Sequence, residues 1–200
     1  MVVDHNEGKK LIQSVLGYSL EVRTGMNYFL EYCAKAQESP AWRKISDLDF
    51  EKDVANLQLW LNKALTEEPP ADDIRAFWFG LFHPVLNDGE TSCGLYISGS
   101  VNFDADDQAA RWASLNDDSY LPKDSRAKSV ILDEIYFINH QYKVESIGEY
   151  VLCLGYACLA MKSACTYFGK SFMRGFYGPR AIAVGFDNGD FVFIDGCLNA

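Results

Sequence analysis

Apolar positions in this chain follow two patterns, one repeating every three to four residues and one running almost unbroken, and the two alternate along its length. Leu11, Ile12, Val15, Leu16 and Leu20, then Met26, Phe29, Leu30 and Cys33, trace one helix face behind a capping box at Asp4-x-x-Glu7. Gly25 marks a point for a break or kink in it, and Ser39-Pro40 closes it. Phe50, Val54, Leu57, Leu61 and Leu65 give a second helix from near Asp47, stopped by Pro69-Pro70. Both helices put their charges on the reverse face, as cover for a sheet does.

Residues 74–103 change period. Apolar runs on either side of Asp88-Gly89 predict a hairpin with a two-residue type I′ turn, which needs positive φ at both central positions. With that turn Phe82 faces Leu95, Gly80 faces Ile97 and Trp78 faces Gly99. On the other side Leu81 faces Tyr96, Phe79 faces Ser98 and Phe77 faces Ser100. An indole opposite a glycine packs well, so the Trp78 face is assigned to the helices. The face with Tyr96, Ser98 and Ser100 is left for a second layer or for binding.

A third helix runs from about Ser129 through Ile131, Leu132, Ile135 and Ile138. Ser146-x-x-Glu149 opens a fourth, apolar around most of its circumference from Tyr150 onward and therefore the most buried, with Gly169 as its stop. Around Asn188-Gly189 a second hairpin pairs Phe186 with Phe191, Val184 with Phe193 and Ala183 with Ile194. The expected fold is α+β: a mainly antiparallel sheet built from two hairpins, about 74–103 and 181–195, covered by four helices in the order ααββααββ. No linker composition divides residues 1–200, so one domain is expected. The order repeats in halves, without any residue-level repeat.

Charge narrows the partners. With 18 basic against 28 acidic residues the net charge is −10, which argues against nucleic acid and anionic membranes and is compatible with a basic protein. The start of the chain lacks a basic stretch followed by an apolar one, and the apolar run from Tyr150 to Met161 is too short to span a bilayer. The chain reads as cytosolic. Its cysteines, at 33, 93, 153, 158, 165 and 197, form no C-x-x-C and read as small buried hydrophobes.

Chemical signatures are absent from the pattern. The three histidines, His5, His83 and His140, accompany no G-x-S-x-G, and in the expected register Cys93 faces Pro84, so its side chain points away from His83. Counted from Asp104, an EF-hand would need Gly and Glu where Ala109 and Leu115 stand. Gly175-Phe-Tyr-Gly178, flanked by Arg174 and Arg180, precedes a strand and so lacks the helix N-terminus of a phosphate cradle. Neither cofactor nor metal is expected.

What stands out is the irregular stretch 104–124, with six aspartates against Arg111 and Lys123. Trp112 and Tyr120 are its anchors. The expected partner-binding surface is Asp104, Asp106, Asp107, Arg111, Trp112, Asp117 and Asp118, together with Tyr96, Ser98 and Ser100. A small acidic α+β chain without catalytic residues is similar in type to bacterial immunity proteins, which implies a non-enzymatic role against a basic partner. The rival expectation is a small-molecule-binding protein or hydrolase with a site near Arg111 and Trp112. A third is homo-oligomerisation through the aromatic strand face.

Overall fold

A computed structural model describes residues 5–18, 21–85, 91–107, 109–115, 119–168, 174–187 and 189–194. The first apolar stretch forms two helices, α1 (His5–Gly17) and α2 (Val22–Ala36). The break falls between them and not at Gly25, which sits within α2 and packs so closely on Leu159 that a Cβ would come 2.6 Å from it. A short helix not expected from the pattern, α3 (Ala41–Ser46), precedes α4 (Phe50–Glu67). Asp49 caps α4 by accepting from the Lys52 amide, and Phe50, Val54, Leu57, Leu61 and Leu65 are all buried, as their spacing requires. Ser129 caps α5 (Val130–Tyr142) in the same way through the Leu132 amide.

The last helical run begins at Glu145, ahead of the expected Ser146 cap. It consists of α6 (Glu145–Gly148), a π-helical turn over Glu149–Cys153, and α7 (Leu154–Phe168). Every residue from Tyr150 to Met161 is buried, or buried glycine. It is the axis around which α1, α2, α4 and α5 pack, and α7 lies against the sheet. Its expected stop, Gly169, lies outside the described residues.

The sheet holds β1 (Ala76–Phe82), β2 (Gly94–Ser100), β3 (Arg126–Ala127), β6 (Ala181–Phe186) and β7 (Phe191–Phe193), in the order β3-β2-β1-β6-β7. A separate small ribbon joins β4 (Arg174–Gly175) and β5 (Gly178–Pro179). The sheet is mixed and not mainly antiparallel, because β1 and β6 run parallel. The reason lies in α7. Glu149, at its upstream end, sits beside His83 at the carboxyl end of β1. Downstream, the Phe176 amide donates to the Asp72 carbonyl at the amino end of β1 (2.6 Å). The helical run thus carries the chain back along β1, and β6 sets off in the same direction as β1, a helical crossover between parallel strands.

Both hairpins form, each one residue out of the expected register. Phe79 pairs with Ile97, Leu81 with Leu95, Trp78 with Ser98 and Gly80 with Tyr96; in the second, Ala183 pairs with Phe193 and Val184 with Val192. In the second turn the Gly189 amide donates to Phe186 (3.0 Å), the Phe186 amide donates to Asp190 (2.8 Å), and Gly189 takes φ 108°. Phe186 thus closes on Asp190, not on Phe191, which shifts the pairing by one; Asn188 of the expected turn lies outside the described residues. The first turn, with Asp88 and Gly89, lies outside the described residues; Val85 bridges Thr91 on its near side.

A one-residue shift moves every side chain to the opposite face. Phe77, Phe79 and Leu81 join Leu95, Ile97, Ile182 and Val184 in the main core under the helices. Trp78, assigned by the pattern to the helix side, lies on the other face with Ala76, Ala183 and Phe191. The ring-over-glycine pairing is present with different partners: Tyr96 covers Gly80 and Phe82 covers Gly94, where added Cβ atoms would fall 2.1 and 2.6 Å from the rings.

Candidate functional site

The reverse face of the sheet is roofed by the acidic stretch. Trp112, in a single 3-10 turn (Arg111–Ala113), meets Trp78 edge to face at 5.9 Å and touches Phe103 and Phe193. Ser98 and Ser100, expected on a face open to a second layer or a partner, are 2% and 5% exposed beneath this roof. Tyr96 is half-buried, and its hydroxyl donates to Asp187 Oδ1 at 2.8 Å. The aspartates divide by role. Asp107 accepts from the amides of Ala109 (3.1 Å) and Arg111 (2.8 Å) and pairs with the Arg111 guanidinium, which holds its carboxyl below the usual carboxylate range. Asp104 accepts from the Asp106 amide, and both side chains lie at the surface with Arg111. Asp117 and Asp118 lie outside the described residues. Between this roof and the 187–189 turn is a cleft of about 360 Å³, walled by Trp78, Tyr96, Ala110, Leu115 and Asp187.

A second constellation has no counterpart in the sequence reading. Taken singly, no histidine has an evident partner, yet the fold gathers all three. His83 leaves the carboxyl end of β1 with Nε2 2.9 Å from Glu149 Oε1. His140, from the last turn of α5, stands with Nε2 3.6 Å from Glu149 Oε2 and Nδ1 3.4 Å from Glu145 Oε1. His5, opening α1, stacks on Tyr150 (4.4 Å between centroids, 9° apart) and lies 3.9 Å from Asp190. Tyr136 contacts both His83 and His140 and shares a 2.6 Å hydrogen bond with Thr91. Glu149 is the hub, and it begins the π-helical turn, a local widening often found at functional sites. One local signal was available: Glu145 and Glu149, four apart, share a helix face just after His140.

Other expected chemistry is placed differently. Arg180, at the end of the Gly175–Gly178 stretch, is 2% exposed and gives its guanidinium to the carbonyls of Ile74 (2.9 Å) and Ala71 (2.8 Å). Cys33, Cys93, Cys153, Cys158 and Cys165 are buried free thiols. Burial pushes Cys33 up to about 12, and a hydrogen bond to Cys93 together with burial pushes Cys153 well up, so neither is poised as a nucleophile. Among the described residues no three His, Cys, Asp or Glu side chains are arranged to hold a metal ion, and no helix is long and apolar enough to cross a membrane. Comparison with known proteins finds no matching family model, curated protein or solved structure.

Proposed function

We propose that this chain is a non-enzymatic, cytoplasmic binding protein that docks a basic protein partner on the acidic roof over its sheet, in the manner of immunity and inhibitor proteins. The observation that carries the reading is the roof itself. Trp112 pins it against Trp78, and Asp107 locks its turn to the Arg111 amide. Asp104 and Asp106 are thus held at the surface of a chain whose net charge is −10. Residues 104–107 and 109–115, already held in place, lose little entropy on binding, and a negative field steers a positive partner. Ser98 and Ser100 contribute only from beneath, by supporting the roof.

The test uses D104N/D106N/D117N/D118N, which leaves Asp107 in place, as bait beside the unchanged protein in its native host. A basic protein retained by the unchanged bait, lost with the variant and released by moderate salt supports the reading; equal retention and no salt response refute it. A small-molecule-binding or hydrolytic reading draws on the cleft beside Tyr96 and Asp187. It predicts that Y96F and D187N abolish a ligand-induced rise in melting temperature and leave protein capture intact. Self-association through the aromatic strand face would require the roof to lift.

A further inference from the structure

The ribbon of β4 and β5 turns through Phe176 and Tyr177, and both rings stand in solvent, 81% and 70% exposed. The apex is held in one shape. The Phe176 amide donates to the Asp72 carbonyl (2.6 Å), and Gly178 takes φ 110° to close the turn. The two rings meet edge to face at 5.4 Å, and the Arg75 guanidinium lies 5.8 Å from the Tyr177 ring. Adjacent, pre-ordered aromatic side chains make a knob of the kind that anchors interfaces.

A cleft of about 420 Å³, walled by Leu16, Phe103, Ala181, Ile182 and Phe193, supplies a hole. A cavity on the order of 150 Å³ holds a benzene ring, so this one has room for both rings of an apex. Ala181 is four residues beyond Tyr177, so at most about 14 Å of chain separates knob from hole. We propose that a second copy of this chain docks here, each copy placing its Phe176–Tyr177 apex in the other's cleft about a two-fold axis. Such a contact needs one self-complementary surface that both gives and receives, and a knob beside a hole is that surface.

The charges around knob and hole are opposite. Arg75 and Arg174 flank the apex, while Asp72 and Asp73 at its base lie in the field of the buried Arg180. Asp104 and Asp106 flank Ala105, a residue of the cleft wall, and no Lys or Arg of the described residues lines the cleft. Arg75, Arg174, Asp104 and Asp106 are all exposed, and among the described residues none of them but Arg75, which covers Tyr177, has a charged or aromatic partner. These pairs act at short range against the repulsion between two chains of net charge −10, which salt screens. At about 150–250 Å² for each buried aromatic side chain, two apices and the walls that they cover remove about 1,200 Å² from water. That is the low end for a specific interface, so the expected dimer is weak, with a Kd of about 10–100 µM. The contact shares Asp104 and Asp106 with the proposed docking surface and does not rest on that reading.

The test is sedimentation velocity of the intact protein from about 1 µM to about 1 mM in about 0.15 M salt. The unchanged chain is expected to pass from monomer to dimer over this range. F176S/Y177S on the surface apex, and Q13W, which fills the cleft from an exposed position of α1, should each weaken the dimer at least about tenfold. R75E/R174E should weaken it comparably, and R75E/R174E/D104K/D106K should regain most of that loss, because the charges are exchanged and not removed. If the lysines disturb the 104–107 turn, F176S/Y177S and Q13W still decide. F176S/Y177S should leave capture of a basic partner by the acidic roof intact, so the two readings fail separately. A chain that stays monomeric throughout, whether residues 195–200 or another ligand fill the cleft, overturns the proposal. So does a dimer indifferent to F176S/Y177S or to Q13W, or an assembly that grows past two copies.

Discussion

Asp53 offers the sharpest test of how the helices are held together. It is 3% exposed, and it accepts from Ser129 Oγ (2.6 Å), the Val130 amide (2.9 Å) and the Tyr156 hydroxyl (2.7 Å), tying α4 to α5 and α7. Ser129 in turn caps α5. Burial and Asp53 together hold the Tyr156 phenol far above its usual range, so it stays a donor. Asp53→Ala strands two buried hydroxyls, each worth about 1–3 kcal/mol unpaired, and removes a negative charge from a helix N-terminus, worth about 0.3–1 kcal/mol. Water reaches the Val130 amide, and the two hydroxyls can partly bond each other, so the expected loss is about 3–4 kcal/mol. With a urea slope of about 2.5 kcal/mol per molar, the midpoint falls by about 1.2–1.6 M. Tyr156→Phe removes one stranded donor, so the double variant should cost about 1–2 kcal/mol less than the sum of the singles. A midpoint shift under about 0.4 M for Asp53→Ala, or strict additivity, would refute the reasoning.

Three further outcomes are expected. Trp112→Ala should cost about 3–5 kcal/mol and open 104–115 to limited proteolysis, whereas Trp112→Phe costs much less, since the indole N–H has no partner among the described residues. Gly185→Ala should lose about 3 kcal/mol in thermal unfolding, because its Cβ would meet Phe191 Cβ at 2.4 Å and the Asp190 carbonyl at 2.7 Å, neither of which can swing aside. Burial raises Tyr120 and Tyr150 to about 12, so the unfolded phenols release protons first. Their stabilising effect is whole below about pH 10 and is lost as pH rises from about 10 through 12; Y150F should flatten the fall in urea midpoint over that window.

What the sequence made legible was local. Helix α4 follows from Phe50, Val54, Leu57, Leu61 and Leu65, and the caps of α4 and α5 are short polar residues beside apolar stripes. Even Asp53 left a trace, three after Phe50 and four before Leu57, an acid inside the apolar stripe. The strand registers were not legible from the turn dipeptides, because an Asn-Gly pair does not by itself fix which residues close the turn. Placing Leu95 and Ile97 with Phe77, Phe79 and Leu81 on one fully apolar face would have chosen correctly. The parallel pairing of β1 with β6 depends on where α7 returns the chain, which no dipeptide encodes. The histidine cluster is assembled from α1, the end of β1 and the end of α5, so only its glutamates were neighbours in the chain.

The parallel pairing of β1 and β6 also bears on how the chain comes to be made. The middle strand waits about a hundred residues of synthesis for its second neighbour, and contacts so far apart close slowly. Until then the nascent β1–β2 ribbon carries Phe77, Trp78 and Phe79 along an unpaired flank, a sticky intermediate that a holding chaperone would shield.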